Sequence, residues 1–269
     1  LVGGGVPRGG EVVLSFARLT EIGAFDAGTG QVSCGAGTTL ATLQEICRGH
    51  GADAGLDFGA RETATLGGIA ACNAGGPMAL RYGTARSRIA GIEAVLADGT
   101  VVSRMNGLLK DNAGYDLGQL LIGSEGTLAV ITAVRWRSVP RTAPGISALL
   151  PVGSVTEAIS ILGRLREQAP SLAACELLDA RSLAAGCAHV GTVSPVPDSP
   201  FALLIDCDAE ELYRTLGATA ERAAIADDSA GRARLWAPRD RVNEAISALG
   251  TPIKLDIGVP LDRLADFFS

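Results

Sequence analysis

Glycine is spread unevenly along this chain, and that unevenness constrains the fold more than any other feature. Of its 35 glycines, 26 fall in residues 1–139 and nine in residues 140–269. A residue without Cβ reaches backbone conformations closed to others and lets main chain approach main chain or ligand, at an entropic cost inside helices and strands. The first half is therefore expected to be built on turns and close approaches, the second on regular elements. The stretch RSVPRTAPG, residues 137–145, holds two prolines and a closing glycine. It interrupts ladders and helices alike and marks a boundary near Pro140.

Length agrees with two domains, since 269 residues stand against about 150 per domain. With 47% hydrophobic and 19% charged residues the chain is too apolar for disorder. No apolar run reaches the length of about 18 residues that suggests a membrane span. A net charge of −6 lacks the basic surplus of a nucleic-acid binder. Six cysteines form no CxxC, and two histidines, His50 and His189, stand too far apart to suggest a metal site by spacing. Reduced, mostly buried thiols are expected. The first residues, LVGGGVPRGG, show no charged segment followed by an apolar one, so no signal peptide is visible and a cytoplasmic location is expected.

In the first half EVVLSF, GQVSCGAG, GIEAVLADGTVV and TLAVITAVRW read as strands, with ADG as a hairpin turn. TTLATLQEICRG reads as a helix with Leu40, Leu43, Ile46 and Cys47 on one face and a stop at Gly49. In the second half ISALLPV and FALLIDC read as strands. Ser154 and Glu157 form a capping box opening a helix whose stripe is Val155, Ala158, Ile159, Leu162 and Leu165. AEELYRTLGATAERAA and PRDRVNEAISAL read as further helices, the latter with Pro238 near its first turn, and IKLDIGV as a strand. This alternation suggests helices layered on one sheet in a two-layer sandwich.

Three glycine-rich stretches are candidates for ligand binding. GAGTTL (35–40) follows a strand and opens a helix, but Leu40 stands where a dinucleotide fingerprint needs its third glycine. It reads either as a phosphate cradle or as a turn in which Thr38 or Thr39 caps the helix. TLGGIAACNAGG (65–76) and GSEGTLAVIT (123–132) offer bare backbone N–H groups beside short polar side chains. Such groups suit a pyrophosphate and a polar ring edge, and they equally suit tight bends in a crowded core.

NAGG at 73–76, LRYGTARSRIAGIEAVLADGTVV at 80–102 and KDNAGYDLGQLLIGSEGTLAVIT at 110–132 resemble the FAD-dependent D-2-hydroxy-acid dehydrogenases. That group takes in the 2-hydroxyglutarate, D-lactate and glycolate enzymes, within the flavin family named for vanillyl-alcohol oxidase and p-cresol methylhydroxylase. The resemblance implies an α+β fold: a two-subdomain FAD-binding domain of p-cresol methylhydroxylase type over residues 1–139, then an α+β substrate-cap domain with an antiparallel sheet over 140–269. It implies that Gly3 and Gly4 lie near the FAD phosphates. Asp57, Thr65, Gly67 and Gly68 match a second wall of the cleft, followed by Asn73, Ala74, Gly75, Gly76 and Gly83. Glu125, Gly126 and Ile131 match a segment whose backbone faces the cofactor.

For the substrate the matching positions are Arg239, Asn243 and Lys254, the Asn standing where the 2-hydroxyglutarate branch typically has Thr. Spacing puts Arg239 and Asn243 on one helical face, and Lys254 opposite the apolar side of its strand. Arg and Lys together make a clamp for a dicarboxylate. The family carries more glycines before the position of Leu1, and an HxxGDGNxH-like metal motif and an EHGxG-like stretch beyond that of Ser269. The resemblance therefore implies a piece of a longer flavoenzyme, inactive alone, whose catalytic groups and divalent, zinc-like metal lie outside these residues. The expected activity is oxidation of a D-2-hydroxy acid by hydride transfer to flavin N5, a dicarboxylate being preferred and D-lactate or glycolate the alternatives. An alternative of another class is a non-catalytic FAD-binding scaffold subunit. The electron acceptor and a homodimer partner stay open.

Overall fold

This computed structural model describes residues 6–142 and 145–268. The chain divides into two compact units, Leu1–Thr142 and Ala143–Ser269.

In the first unit, β1 (Gln31–Gly35) leads through a turn into α1 (Leu40–Gly49). The Thr39 side chain accepts the Thr42 N–H, so GAGTTL is a capped strand-to-helix turn. Its glycines admit neighbouring backbone: a Cβ at Gly35 would strike the Leu19 carbonyl, and one at Gly37 the Phe16 carbonyl. After β2 (Ala52–Asp53) come four short helices or helical turns, α2 (Leu66–Ala71), α3 (Ala79–Tyr82), α4 (Ala85–Arg88) and, later, α5 (Gly118–Leu121). The hairpin β3 (Ile89–Leu96) and β4 (Val101–Arg104) forms as expected, closed by Gly99 at positive φ and by the Asp98 carboxylate accepting the Thr100 N–H. Then follow β5 (Ala129–Arg137) and β6 (Val139–Pro140). The sheet is antiparallel in the order β1-β5-β3-β4, and β2 pairs with β6. Its core gathers Leu40, Leu43, Cys47, Leu66, Ile92, Val134 and Trp136, whose indole N–H donates to the Ala54 carbonyl.

The expected strand EVVLSF does not form. Val12, Val13 and Leu14 are exposed and pair with nothing among the described residues. A strand needs a ladder partner as well as β-favouring side chains, and apolar content alone supplies none.

The second unit carries β7 (Ile146–Val152), α6 (Val155–Gln168), β8 (Ala174–Asp179), α7 (Ala180–Val190), β9 (Phe201–Cys207), α8 (Ala209–Leu216), β10 (Ala224–Ala226), α9 (Ser229–Asp240), α10 (Val242–Ala248) and a closing turn α11 (Leu264–Phe267). Its sheet is antiparallel in the order β10-β7-β9-β8. Ser154 caps α6 as expected, but the Glu157 carboxylate accepts the Gly153 N–H, one residue before the cap. The buried stripe takes Ile161, and Ile159 is only half-buried.

Helices cover both faces of this sheet, which corrects the two-layer expectation. Alternate residues of β7 and β9 divide between two cores, one with α6 and α8 and one with α7 and α9. Two further readings change. The helix from AEELYRTLGATAERAA stops at Leu216, because Gly217 has positive φ, and continues as a 3₁₀ turn. The helix read from PRDRVNEAISAL is two helices that meet at Arg241, and Pro238 lies inside α9 rather than near its start. IKLDIGV is no strand: Ile253, Leu255 and Ile257 are all exposed, and residues 251–260 have no ladder partner among the described residues.

Candidate functional site

The first unit draws its unusual glycine stretches together around α2. Thr65 caps that helix, and Gly67 packs so tightly on the turn after β1 that a Cβ there would press on Ala36. The Gly67 N–H donates to the Ala36 carbonyl at 2.8 Å and the Leu66 N–H to the Thr38 carbonyl at 2.8 Å. Beyond the helix, Asn73 takes the left-handed conformation at φ +47, and its side-chain carbonyl accepts the Arg86 N–H at 3.0 Å. Asn tolerates that conformation better than most residues with a Cβ. Gly76 lies against the main chain of Asp57, where a Cβ would overlap the carbonyl oxygen.

The GSEG turn docks on the far end of α2. Gly123 and Glu125 donate their N–H groups to the Ala70 and Ala71 carbonyls at 3.0 and 2.8 Å, and Glu125 sits at φ +51. These two bonds satisfy carbonyls that a helix end leaves open. Arg86 closes the arrangement by donating to the Gln119 side chain and to the Gln119 and Ile122 carbonyls. Sequence reasoning passed over this arginine, since no spacing rule links it to residues more than 30 positions away.

Asp57, Thr65, Gly67, Gly68, Asn73, Ala74, Gly75, Gly76, Glu125 and Gly126 therefore belong to one connected knot. The Asp57 carboxylate accepts from Gln44 and pairs with Arg61 at 2.8 Å. Gly83 serves its own turn at φ +75, where a Cβ would meet the Ser87 side chain. Ile131 is a core residue of β5, its side chain buried and paired in register with Ala94. Gly3 and Gly4 lie outside the described residues.

Two glycines of the knot leave room for a ligand. Gly126, at φ +77, has only open space where a side chain would stand, and Gly68 meets nothing closer than its own capping Thr65 Oγ1 at 3.5 Å. In the turn whose Thr38 carbonyl accepts the Leu66 N–H, the buried Thr38 Oγ1 has no partner among the described residues. Bare backbone beside an unsatisfied hydroxyl suits a polar ligand.

The charged residues of KDNAGYDLGQLLIGSEG are largely framework. Arg104 pairs with Asp111 at 2.6 Å and donates to the Ala113 and Tyr115 carbonyls, while Asn106 also donates to Asp111. These bonds, led by that from Arg104, hold the Asp111 carboxyl down at about 2. The thiols are mostly unreactive: burial pushes Cys34, Cys175 and Cys207 up to about 12 and Cys47 to about 11, and Cys72 is exposed.

In the second unit Arg239 is not free. Its fork grips Glu176 of β8 side-on, with Nη2 2.8 Å from one oxygen and Nε bonded to the other, and its guanidinium lies 6.0 Å from the Trp236 ring centre. Glu176 stands 63 positions away, and local pattern gave no sign of it. The same α9 is anchored further along by Arg232, 3.2 Å from Asp206, and by the Trp236 N–H, 3.1 Å from buried Ser147.

Asn243 belongs to α10, so the expected single helical face with Arg239 is broken at Arg241. Lys254 stands in the exposed, unpaired segment, and no hydrogen bond or ion pair joins it to Arg239 among the described residues. No group of three His, Cys, Asp or Glu side chains among the described residues could hold a metal ion. No described helix is long and apolar enough to cross a membrane.

Residues 1–104 match the model of an FAD binding domain, and residues 143–269 match that of the C-terminal domain of FAD linked oxidases. Both matched segments are thus similar to FAD-linked domains. Among the chain's relatives, D-2-hydroxyglutarate dehydrogenase of Bos taurus is 38% identical over 99% of the chain and 51% of that protein. The Rattus norvegicus protein of the same name is 37% identical, over 99% of the chain and 52% of its own length. The chain thus spans about half the length of the curated relatives it matches. A solved alkyldihydroxyacetonephosphate synthase shares the fold at a TM-score of 0.62 and 18% identity, over 86% of this chain and 45% of that one. Both dehydrogenases are named as mitochondrial, which overturns the expectation of a cytoplasmic location. The absence of a visible signal peptide in LVGGGVPRGG was a weak guide, since it speaks only to secretion.

Proposed function

We propose that this chain is the FAD-binding and substrate-capping part of an FAD-dependent dehydrogenase that oxidises a D-2-hydroxy acid, with a 2-hydroxyglutarate-like dicarboxylate preferred. The observation that carries the reading is similarity along 99% of the chain to proteins named D-2-hydroxyglutarate dehydrogenase. In this reading residues 1–139 hold the cofactor and residues 140–269 cap the substrate. FAD, when bound, supplies the acceptor for the hydride that leaves the substrate carbon.

The chain's own residues bind and orient. In this reading the backbone of Gly67, Gly68, Asn73 to Gly76, Glu125 and Gly126 admits the flavin nucleotide, with Asp57 and Thr65 along the wall, and Gly3, Gly4, Gly83 and Ile131 are assigned to the cofactor by the resemblance alone. Arg239 recognises a substrate carboxylate. Glu176 holds that fork in the structure, and in this reading the substrate carboxylate takes its place, because a guanidinium fork matches the two oxygens of any carboxylate in the same way. Asn243 and Lys254 complete the clamp, Lys254 taking the second carboxylate of a dicarboxylate. A divalent metal, where the whole protein holds one, takes its ligands from beyond the described residues.

Titrating the purified protein with FAD tests the first half of the reading: a bound-flavin absorption band is expected, and a protein that stays colourless sinks it. The full-length protein, assayed on D-2-hydroxyglutarate, D-lactate and glycolate with an artificial electron acceptor, tests the second. The Lys254→Met variant is expected to lose far more activity on the dicarboxylate than on D-lactate, and equal losses refute the clamp.

A further inference from the structure

A cavity of about 280 Å³ in the first unit lies apart from the glycine turns around α2, none of residues 65–76 or 123–126 lining it. Its walls come from the start of β3, the loop after β4, α5 and the end of β5. Five charged side chains among the described residues line it, Arg86, Arg104 and Arg137 against Asp111 and Asp116.

Four of the five are engaged. Arg104 pairs with Asp111 at 2.6 Å and also feels the Asp116 charge. Asp116 in turn accepts the Gln119 N–H. Arg86 donates to the Gln119 side chain and to the Gln119 and Ile122 carbonyls, which hold it in place and cancel none of its charge. Arg137 differs. It forms no ion pair among the described residues, and its buried Nε donates to nothing there. Strand alternation puts Arg135 and Arg137 on the face of β5 opposite the core residues Val134 and Trp136. Arg135 is held there by the Gln31 side chain at 2.6 Å and by Asp26. Arg137 is half-buried on that face with no countercharge, a state that desolvation disfavours and an anion beside it relieves.

We propose that this cavity binds a small aliphatic monocarboxylate, with the acid group on the Arg137 guanidinium. Charge sets the class: three arginines less two carboxylates leave the lining at +1, which one carboxylate neutralises and a dianion overshoots. A planar guanidinium fork holds both oxygens of a carboxylate at once. The remaining walls set the tail. Ile89, Ile122 and Leu108 line the same space, and Leu108, 58% exposed, loses apolar surface to water that an alkyl chain would cover. The acid is short, because about 280 Å³ falls below the range of about 300–1,000 Å³ typical of sites for drug-sized ligands. The site is separate from the carboxylate clamp proposed around Arg239.

The test is titration of butyrate into the FAD-loaded protein, followed by calorimetry and by thermal unfolding against chloride of equal ionic strength. A rise in Tm of about 3 °C is expected at butyrate about tenfold above its dissociation constant. Arg137→Gln is expected to weaken butyrate about tenfold, the loss of a hydrogen-bonded charge pair. Leu108→Glu, which sets a like charge at an exposed position on the same wall, is expected to weaken it about fivefold and serves if Arg137→Gln does not fold. Inorganic phosphate, the dianion probe, is expected to bind less tightly than butyrate. A parent that responds no more to butyrate than to chloride overturns the site. Undiminished binding in either folded variant also overturns it, because the acid would then sit elsewhere, Arg239 included. Phosphate binding tighter than butyrate overturns the monocarboxylate assignment. Butyrate binding seen only before FAD is added overturns the site too, because the acid would then occupy the place of the flavin.

Discussion

The two units handle polar chemistry in opposite ways. In the first, the candidate site is made of main chain: Gly67, Gly76, Gly123 and Glu125 are fixed by contacts between backbones, and few charged side chains enter. In the second, it is made of long side chains, Arg232 and Arg239 of α9 reaching Asp206 and Glu176 on neighbouring strands. A backbone site is intolerant of added bulk and indifferent to charge. A side-chain site is the reverse.

That contrast can be broken most readily at Gly76. Replacing it with Ala puts a methyl group into the Asp57 carbonyl, and a loss of about 3 kcal/mol is expected from overpacking against backbone that cannot move aside. Gly126→Ala, whose Cβ meets nothing, should cost only the about 1–2 kcal/mol of a left-handed residue. Urea unfolding of both variants checks this, and equal losses would break the claim that close approach rules the first unit.

Next comes Asp206→Ala in the second unit. It strips Arg232, Ser147 and Trp236 of their shared acceptor, and a loss of about 2 kcal/mol is expected for hydrogen bonds to a charged group. Asp206→Asn, which keeps an acceptor but no charge, should fall between it and the parent. Asn73 offers a smaller and sharper test. Asn73→Ala loses the bond to the Arg86 N–H and leaves a strained φ of +47, about 1–2 kcal/mol together, while Asn73→Gly, which keeps the geometry, should cost less.

The smallest effect concerns pH. The folded Asp111 carboxyl lies at about 2, below its ordinary 3.8. Its contribution to stability is therefore complete above that ordinary value and fades as pH falls towards about 2. Stability profiles of the parent and Asp111→Asn should converge at the acid end and separate above it. Parallel profiles would show that the Arg104 pair is idle.

Much of the regular structure was legible because it rests on local rules. Thr39, one of two threonines read as the cap, and Ser154 open their helices, ISALLPV and FALLIDC are mostly apolar and pair in the centre of their sheet, and ADG turns the β3–β4 hairpin. EVVLSF and IKLDIGV failed for the opposite reason, since a strand is completed by a partner that its own sequence does not contain. The start of α9 was missed because Asp228, its capping residue, lies in ADDSAGRARLWA, which lacks a clear apolar period. With that start unseen, Pro238 was read as an opening residue and Arg239 and Asn243 as neighbours on one helix. The cofactor stretches were legible as bare backbone, and whether they served a ligand or a bend could not be read from composition. Structure adds that they make tight bends around one helix, with Arg86 joined to them only by folding.

The chain has two tryptophans, and they fall one to each unit. Trp136 is fully buried with its N–H on the Ala54 carbonyl, and Trp236 bonds Ser147 and Asp206. Each unit thus carries its own emitter, in surroundings of different polarity. A single-tryptophan variant of either kind lets the melting of one half be watched by fluorescence while the other stays dark.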